Sequence, residues 1–307
     1  MLRIAHVSDL HVLAPAGVEW RRLLFNKRIT GYANLLLKRS RAYRRDYLVA
    51  VLAAAAQAAD QVVVTGDITN LSLEGEYLEA RRLLDEVARA AEVSVVPGNH
   101  DIYLPQVHHD RRFPHHFASF ERSDLPQFEV ALPAGRFPFV KLRGPVALIG
   151  LSSAVPRPPF VSAGYLGHAQ LHALTQLLAH PEVARRTPVI MVHHDPLDSR
   201  FGFEQWRSGL LDARALRHAL QPIARGLLLF GHLHVRRRDQ WITPSGALDV
   251  VCASGAALDH PSEQVRAGFN RYEIEADGRI AALDAHVLDS SGSGFHVVAL
   301  TPGRSLR

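Results

Sequence analysis

Five times along this chain, a short apolar run ends at a cluster of carboxylate, amide or imidazole side chains. Ile4-Ala5-His6-Val7 leads to Asp9-Leu10-His11, and Gln61 to Thr65 leads to Gly66-Asp67-Ile68-Thr69-Asn70. Val93 to Val96 leads through Pro97 to Gly98-Asn99-His100-Asp101. Val189 to Val192 ends at His193-His194-Asp195-Pro196, and Leu227 to Phe230 ends at Gly231-His232-Leu233-His234. Runs this short and this apolar are the pattern of buried strands. An open α/β sheet presents its ligands beyond the carboxyl ends of its strands. Five such endings restrict the chain to an α/β fold with one polar site at the strand ends.

The intervening segments fit that frame. Asp46 to Ala59 is rich in alanine and leucine and predicts a helix. Glu74 to Ala91 predicts another, with charged residues on one face and Leu78, Leu83, Leu84 and Val87 on the other. Val146 to Leu151 reads as a strand and Leu171 to Leu178 as a helix. From Leu248 to Leu288 the pattern alternates as antiparallel strands do, with Ala276-Asp277-Gly278-Arg279 as a hairpin turn. Ile102 to Gly144 follows no period. With no repeat and no low-complexity linker, residues 1–307 are expected to form a single domain, β-rich from about 248 to 300.

Composition removes several classes. Hydrophobic residues make up 47% and charged residues 21%, which is ordinary for a globular protein. No apolar run reaches the roughly 18 residues of a membrane span. The first residues read as a strand and lack the features of a secretory signal, so the cytoplasm is the expected location. Cys252 is the only cysteine, which excludes an internal disulfide and any thiolate-rich metal site. The net charge of +5 is uneven: residues 20–45 hold nine Lys and Arg and no acid, which leaves the remainder at −4. Trp20, Leu23, Leu24, Phe25, Ile29, Tyr32, Leu35 and Leu36 recur among those cations at roughly helical spacing. This basic amphipathic arm is either a flap with a solvated charged face or a contact for an anionic surface, such as the inner face of a membrane.

The five clusters offer only oxygen and imidazole donors, a mixture that suits Mn²⁺, Fe, Co²⁺ or Zn²⁺ better than Ca²⁺ or Mg²⁺. Asp9, His11, Asp67, Asn99, His193, His232 and His234 are too many ligands for one catalytic ion. A pair of ions sharing Asp67 accounts for all seven. Any one cluster alone would be ordinary loop or capping chemistry.

The ordered set D-x-H, G-D-x-x-[D/N], G-N-H-[D/E], a strand-end His and G-H-x-H resembles the calcineurin-like metallophosphoesterase superfamily over residues 3–235. The resemblance implies an αββα sandwich of two mixed sheets flanked by helices, with the metal site at the carboxyl ends of strands. It implies one ion held by Asp9, His11, Asp67 and His234, and a second held by Asp67, Asn99, His193 and His232. Mn²⁺ is the first expectation, with Fe or Zn²⁺ as alternatives. A hydroxide bridging the ions would attack phosphorus, and His100 would protonate the leaving oxygen, with Asn70 orienting its ring. Asn70 in place of an acid points toward the cyclic-nucleotide diesterase and UDP-2,3-diacylglucosamine pyrophosphatase branches rather than the phosphoprotein phosphatases. His194 is expected either to contact phosphate or to be a spare loop residue. Arg28 is a candidate substrate contact, because Lys27-Arg28-Ile29-Thr30-Gly31-Tyr32-Ala33-Asn34 parallels a basic arm in some relatives.

The expected activity is therefore metal-dependent hydrolysis of a phosphodiester such as a cyclic nucleotide. A nucleotide-linked lipid pyrophosphate such as UDP-2,3-diacylglucosamine is the alternative, motivated by the arm. Nucleic acid ranks third, because the arm's leucines and aromatics suit lipid better. A metal-free binding or scaffold protein on the same fold is the rival of a different class. The oligomeric state is not legible in these residues.

Overall fold

A computed structural model describes residues 1–14, 43–197 and 202–306. Two mixed sheets form the frame. In the first, β1 (Leu2–Val7), β2 (Gln61–Val64) and β3 (Glu92–Val95) run parallel. On the other side of β1, β12 (Gly268–Ile274), β13 (Ile280–Leu288) and β14 (Phe295–Ala299) extend the sheet antiparallel, giving the order β14-β13-β12-β1-β2-β3. The second sheet has a parallel centre of β7 (Val146–Gly150), β8 (Thr187–Met191), β9 (Arg225–Phe230) and β11 (Gly246–Cys252). Its flanks are β6 (Phe139–Arg143), β10 (Arg237–Thr243) and β15 (Pro302–Leu306). A two-stranded ribbon, β4 (Val130–Leu132) with β5 (Gly135–Phe137), stands apart.

Side-chain alternation shows how the sheets are packed. Val189, Met191, Leu227 and Leu229 join the central core with Ile4 and Val63 of the first sheet. Their neighbours Ile190, Val192, Leu228 and Phe230 point the other way, into a second core beneath the helices. A strand buried on both faces must be apolar at every position, which is why these runs show no polar alternation. Eight α-helices, with short 3-10 helices at Ala118–Phe120 and Pro126–Phe128, complete the described residues. They are α1 (Arg45–Ala58), α2 (Glu74–Val87), α3 (Pro105–His109), α4 (Arg112–Phe117), α5 (His168–Ala179), α6 (Pro181–Ala184), α7 (Phe203–Ser208) and α8 (Ala213–Ala219). The architecture is thus the expected sandwich of mixed sheets flanked by helices.

Three local expectations change. Helix α2 stops at Val87 rather than Ala91, because the chain must turn there to bring Glu92 N–H onto the Asp60 carbonyl at 3.1 Å and start β3. The tail is not one antiparallel run: β11 lies parallel to β9 in the second sheet, and β12 and β13 cross to the first. The irregular middle contains the short helices α3 and α4 and the strands β4 to β6. Of the basic arm, residues 15–42, including Arg28, lie outside the described residues.

Candidate metal centre

All five clusters leave the carboxyl ends of parallel strands, three in the first sheet and two in the second. Their backbones are knit together. Asp9 N–H bonds the Gly66 carbonyl at 3.0 Å, His11 N–H that of Asp67 at 2.9 Å, and Gly231 N–H that of His193 at 3.1 Å. Asp9, His11, Asp67, His232 and His234 all have positive φ, between 44° and 67°. That region disfavours residues bearing a Cβ, and here it coincides with five of the seven expected ligands. The motif glycines serve close approach: a Cβ on Gly98 would overlap Asp67, and one on Gly231 would overlap Ser8 and Asp9.

Asp9, His11, Asp67 and His234 form one group whose donor atoms lie within 4.8 Å of one another. His234 Nε2 is 3.0 Å from Asp9 Oδ1 and 3.4 Å from His11 Nε2. The second oxygen of Asp9 accepts from His232 N–H at 3.0 Å, which ties the two sheets together at the site. Two imidazole nitrogens and two carboxylates converging in a buried site fit a divalent cation better than one another.

A second group forms around His193 and His232, whose ring centroids are 5.1 Å apart. His193 Nδ1 donates to the Thr65 carbonyl at 2.7 Å, so the lone pair of the neutral ring is on Nε2. That nitrogen lies 3.1 Å from Asn99 Oδ1 and 3.4 Å from Asp67 Oδ1. A lone pair facing two oxygens requires either a proton or a metal ion between them. Burial would lower the affinity of His193 for a proton, but the Asp67 carboxylate reverses this and holds its pKa at about 9. His232 Nε2 bonds the Ser208 carbonyl at 3.0 Å, which turns Nδ1 toward the centre. Burial, reinforced by the nearby His193, lowers its pKa to about 3, so His232 is a neutral donor. Asp67 lies between the groups, with Oδ2 3.9 Å from His11 Nε2 and Oδ1 3.4 Å from His193 Nε2. The residues fit a pair of cations.

The remaining predicted residues lie at the rim. His100 N–H donates to Asp67 Oδ1 at 2.7 Å, and its ring centroid is 4.9 Å from that of His11. Its Nδ1 lies 2.5 Å from the backbone carbonyl oxygen of Asn70. His194 is fully buried, with Nδ1 2.7 Å from Ser153 Oγ, and shares a group of donor atoms with His193 and His232. Gly164 packs against its ring.

Several supporting residues carry no motif signal. Tyr43 Oη sits 2.9 Å from His234 Nδ1, and its ring meets His11 edge-on at 4.9 Å. Thr65 and Ser208 act through backbone carbonyls, which every residue type supplies. Asp101 closes the G-N-H-D motif and has a role the motif alone does not reveal. Its carboxylate accepts from Gly98, Ile68 and Thr69 N–H at 2.8, 3.2 and 2.7 Å, locking two ligand loops together. Burial, with the charge of Asp67, pushes its pKa up to about 7.

Comparison with known proteins agrees with this geometry. The sequence profile of the calcineurin-like phosphoesterase family matches residues 2–236. No curated protein sequence matches the chain significantly. Among solved structures, a dimetal phosphatase from Danio rerio is similar in fold, with 14% identity, a TM-score of 0.52, and coverage of 98% of this chain and 99% of that one. A purple acid phosphatase from yellow lupin seeds shares 14% identity at a TM-score of 0.57, with 99% of this chain spanning 54% of the lupin chain. A sulfate thiohydrolase from Thermus thermophilus shares 18% identity at a TM-score of 0.50, over 96% and 58% of the two chains.

Proposed function

This chain belongs to the calcineurin-like phosphoesterase family and is a hydrolase of phosphoric esters; from that premise, we propose that it cleaves a small phosphodiester, such as a 3′,5′-cyclic nucleotide, with two Mn²⁺ ions bound. The observation that carries this reading is the position of Asp67, whose two oxygens face two separate groups of donors. Asp9, His11, Asp67 and His234 would hold one ion, and Asp67, Asn99, His193 and His232 the other. When bound, such a pair supplies a water of lowered pKa and positive charge against the phosphoryl oxygens.

The chain's own groups do the rest. The Thr65 and Ser208 carbonyls fix which nitrogen of His193 and of His232 faces the centre. The Asn99 amide is placed to hold a non-bridging oxygen as charge develops on it. His100, as the imidazolium with Nδ1–H on the Asn70 carbonyl, gives its Nε2 proton to the departing alkoxide and is left neutral.

A nucleotide-linked lipid is the second reading, and one observation favours it. The described residues on either side of the basic segment lie at the centre: Val12 N–H bonds the Ile68 carbonyl at 2.9 Å, and Tyr43 Oη is 2.9 Å from His234 Nδ1. No helix among the described residues is long and apolar enough to cross a membrane.

The test is a Mn²⁺-supplemented hydrolysis panel of cyclic AMP, bis(p-nitrophenyl) phosphate and UDP-2,3-diacylglucosamine, with residues 20–42 intact and deleted. Turnover of the diesters, abolished with metal loss in Asp67→Ala, supports the first reading. Normal turnover with full metal content in Asp67→Ala would overturn it. Turnover of the lipid alone, lost on deletion of 20–42, would transfer support to the second.

A further inference from the structure

Three large aromatic side chains stand in solvent on segments whose backbones are tied to the second half of the centre. Phe160 is 80% exposed, Phe203 69% and Trp206 53%. Phe203 and Trp206 lie three residues apart on α7, hence on one face, with ring centroids 5.6 Å apart and planes tilted by 32°. Their rings therefore keep open faces.

Both segments are fastened to metal-site residues. The C-terminal Ser208 of α7 accepts from His232 through its carbonyl. Trp206 is two residues away, which limits the Cα separation to about 7.6 Å. The loop carrying Phe160 is clamped to the end of α7 by Ser162 N–H on the Arg207 carbonyl at 2.8 Å and Gly164 N–H on the Gly209 carbonyl at 3.0 Å. Gly164 in turn packs on the ring of His194.

The backbone at Phe160 is strained for the residue it carries. Val161 N–H bonds the Pro158 carbonyl at 3.2 Å, closing a turn with Pro159 and Phe160 at its centre. Phe160 has φ 68°, the position that a type II turn reserves for glycine. A bulky residue there is an outlier, and its ring gains little from burial in return. A group held against both backbone preference and the hydrophobic effect has a use outside the fold.

We propose that Phe160, Phe203 and Trp206 form a stacking rim that binds a flat heteroaromatic group, such as a nucleobase, on the substrate whose phosphate occupies the metal centre. The proposal rests on the phosphoesterase reading and adds the residues that would hold the ester's organic half. Separate rings with open faces suit a planar partner, because every base has a π-face and needs no enclosing groove. An acyl chain would instead need a continuous apolar channel.

Binding of AMP, ribose 5-phosphate and inorganic phosphate to the full-length, Mn²⁺-loaded protein tests this, read both as inhibition of bis(p-nitrophenyl) phosphate hydrolysis and as tryptophan fluorescence. Trp206→Ala should weaken AMP by about 10-fold or more, with no parallel loss for ribose 5-phosphate or phosphate. Trp206→Phe should keep AMP affinity but lose the fluorescence response. Phe160→Gly should weaken AMP while leaving the melting temperature unchanged or higher, since the turn then has its preferred residue. Equal loss for AMP and ribose 5-phosphate, or none for either, overturns the rim. So does loss of sedimentation with phosphatidylglycerol–phosphatidylcholine vesicles in Phe160→Ala/Trp206→Ala with AMP binding intact, which would assign the rings to a membrane. A wild-type protein inactive on every diester would count against the phosphoesterase reading; the fluorescence comparison would still decide the rim.

Discussion

Tyr43 shows what a single residue contributes to this site. Its hydroxyl, 2.9 Å from His234 Nδ1, holds the ring so that Nε2 faces Asp9. Groups that orient a ligand's second nitrogen typically change metal affinity by 10–100-fold. Tyr43→Phe, which keeps the ring against His11, should therefore weaken one of the two ions by about that factor. A metal titration of the purified variant followed by calorimetry checks this, and two unchanged sites would remove Tyr43 from the centre. Tyr43 was not legible in the sequence because it lies 32 residues beyond His11, in a basic segment with no motif around it. The candidate ligands were legible as an ordered set, because five polar clusters each closing a buried strand mark one end of the sheets. The left-handed backbone at His11, His232 and His234 was not legible, since nothing in a histidine's identity announces a positive φ.

Between elements, the parallel strands are joined by polar groups that set both geometry and pH response. His6 on β1 bridges Tyr272 Oη on β12 and Thr65 Oγ1 beyond β2, at 2.9 Å each. Asn270 carries the network to the Cys252 carbonyl of the second sheet at 3.3 Å. Burial holds the His6 pKa down at about 3 despite the attraction of Asp9. In the unfolded chain a histidine titrates near 6.5. The folded state therefore stays neutral where the unfolded state takes up a proton, so this stability is present above about pH 6.5 and is lost as pH falls toward 3. His6→Gln should flatten that part of a plot of denaturant-derived stability against pH. An unchanged slope would mean that His6 does not titrate differently on folding. The strand ends impose a second constraint. A Cβ at Gly98 would overlap the backbone and carboxylate of Asp67, neither of which can move without releasing Asp101 and His100. Gly98→Ala should lower the melting temperature and the bound metal together, measured by scanning calorimetry and elemental analysis. The element types around these sites followed from apolar periodicity, whereas the sheet partners of β11, β12 and β15 did not. Alternation tells a strand which face is buried and says nothing about its neighbour.

Across the whole molecule, neither half of the proposed centre would belong to one sheet. Asp9, His11 and Asp67 leave the first sheet and His234 the second; Asp67 and Asn99 leave the first, and His193 and His232 the second. A cation in either position therefore links the two layers at the end where their cores open to solvent. The buried carboxylates of Asp9 and Asp67 repel each other, and the neighbouring histidines offset that charge. Binding to the folded state alone adds stability in proportion to ln(1 + [L]/Kd), about 4 kcal/mol at 1,000 times Kd. Mn²⁺ should thus raise the melting temperature of the wild-type chain and EDTA should lower it, while Asp67→Ala responds to neither. Because the linkage spans both layers, hydrogen exchange should slow together in the loops after β1, β2 and β3 and in those after β8 and β9. Protection confined to one sheet would mean that the ions are held by half of the proposed ligands, and the bridging role of Asp67 would fall with it.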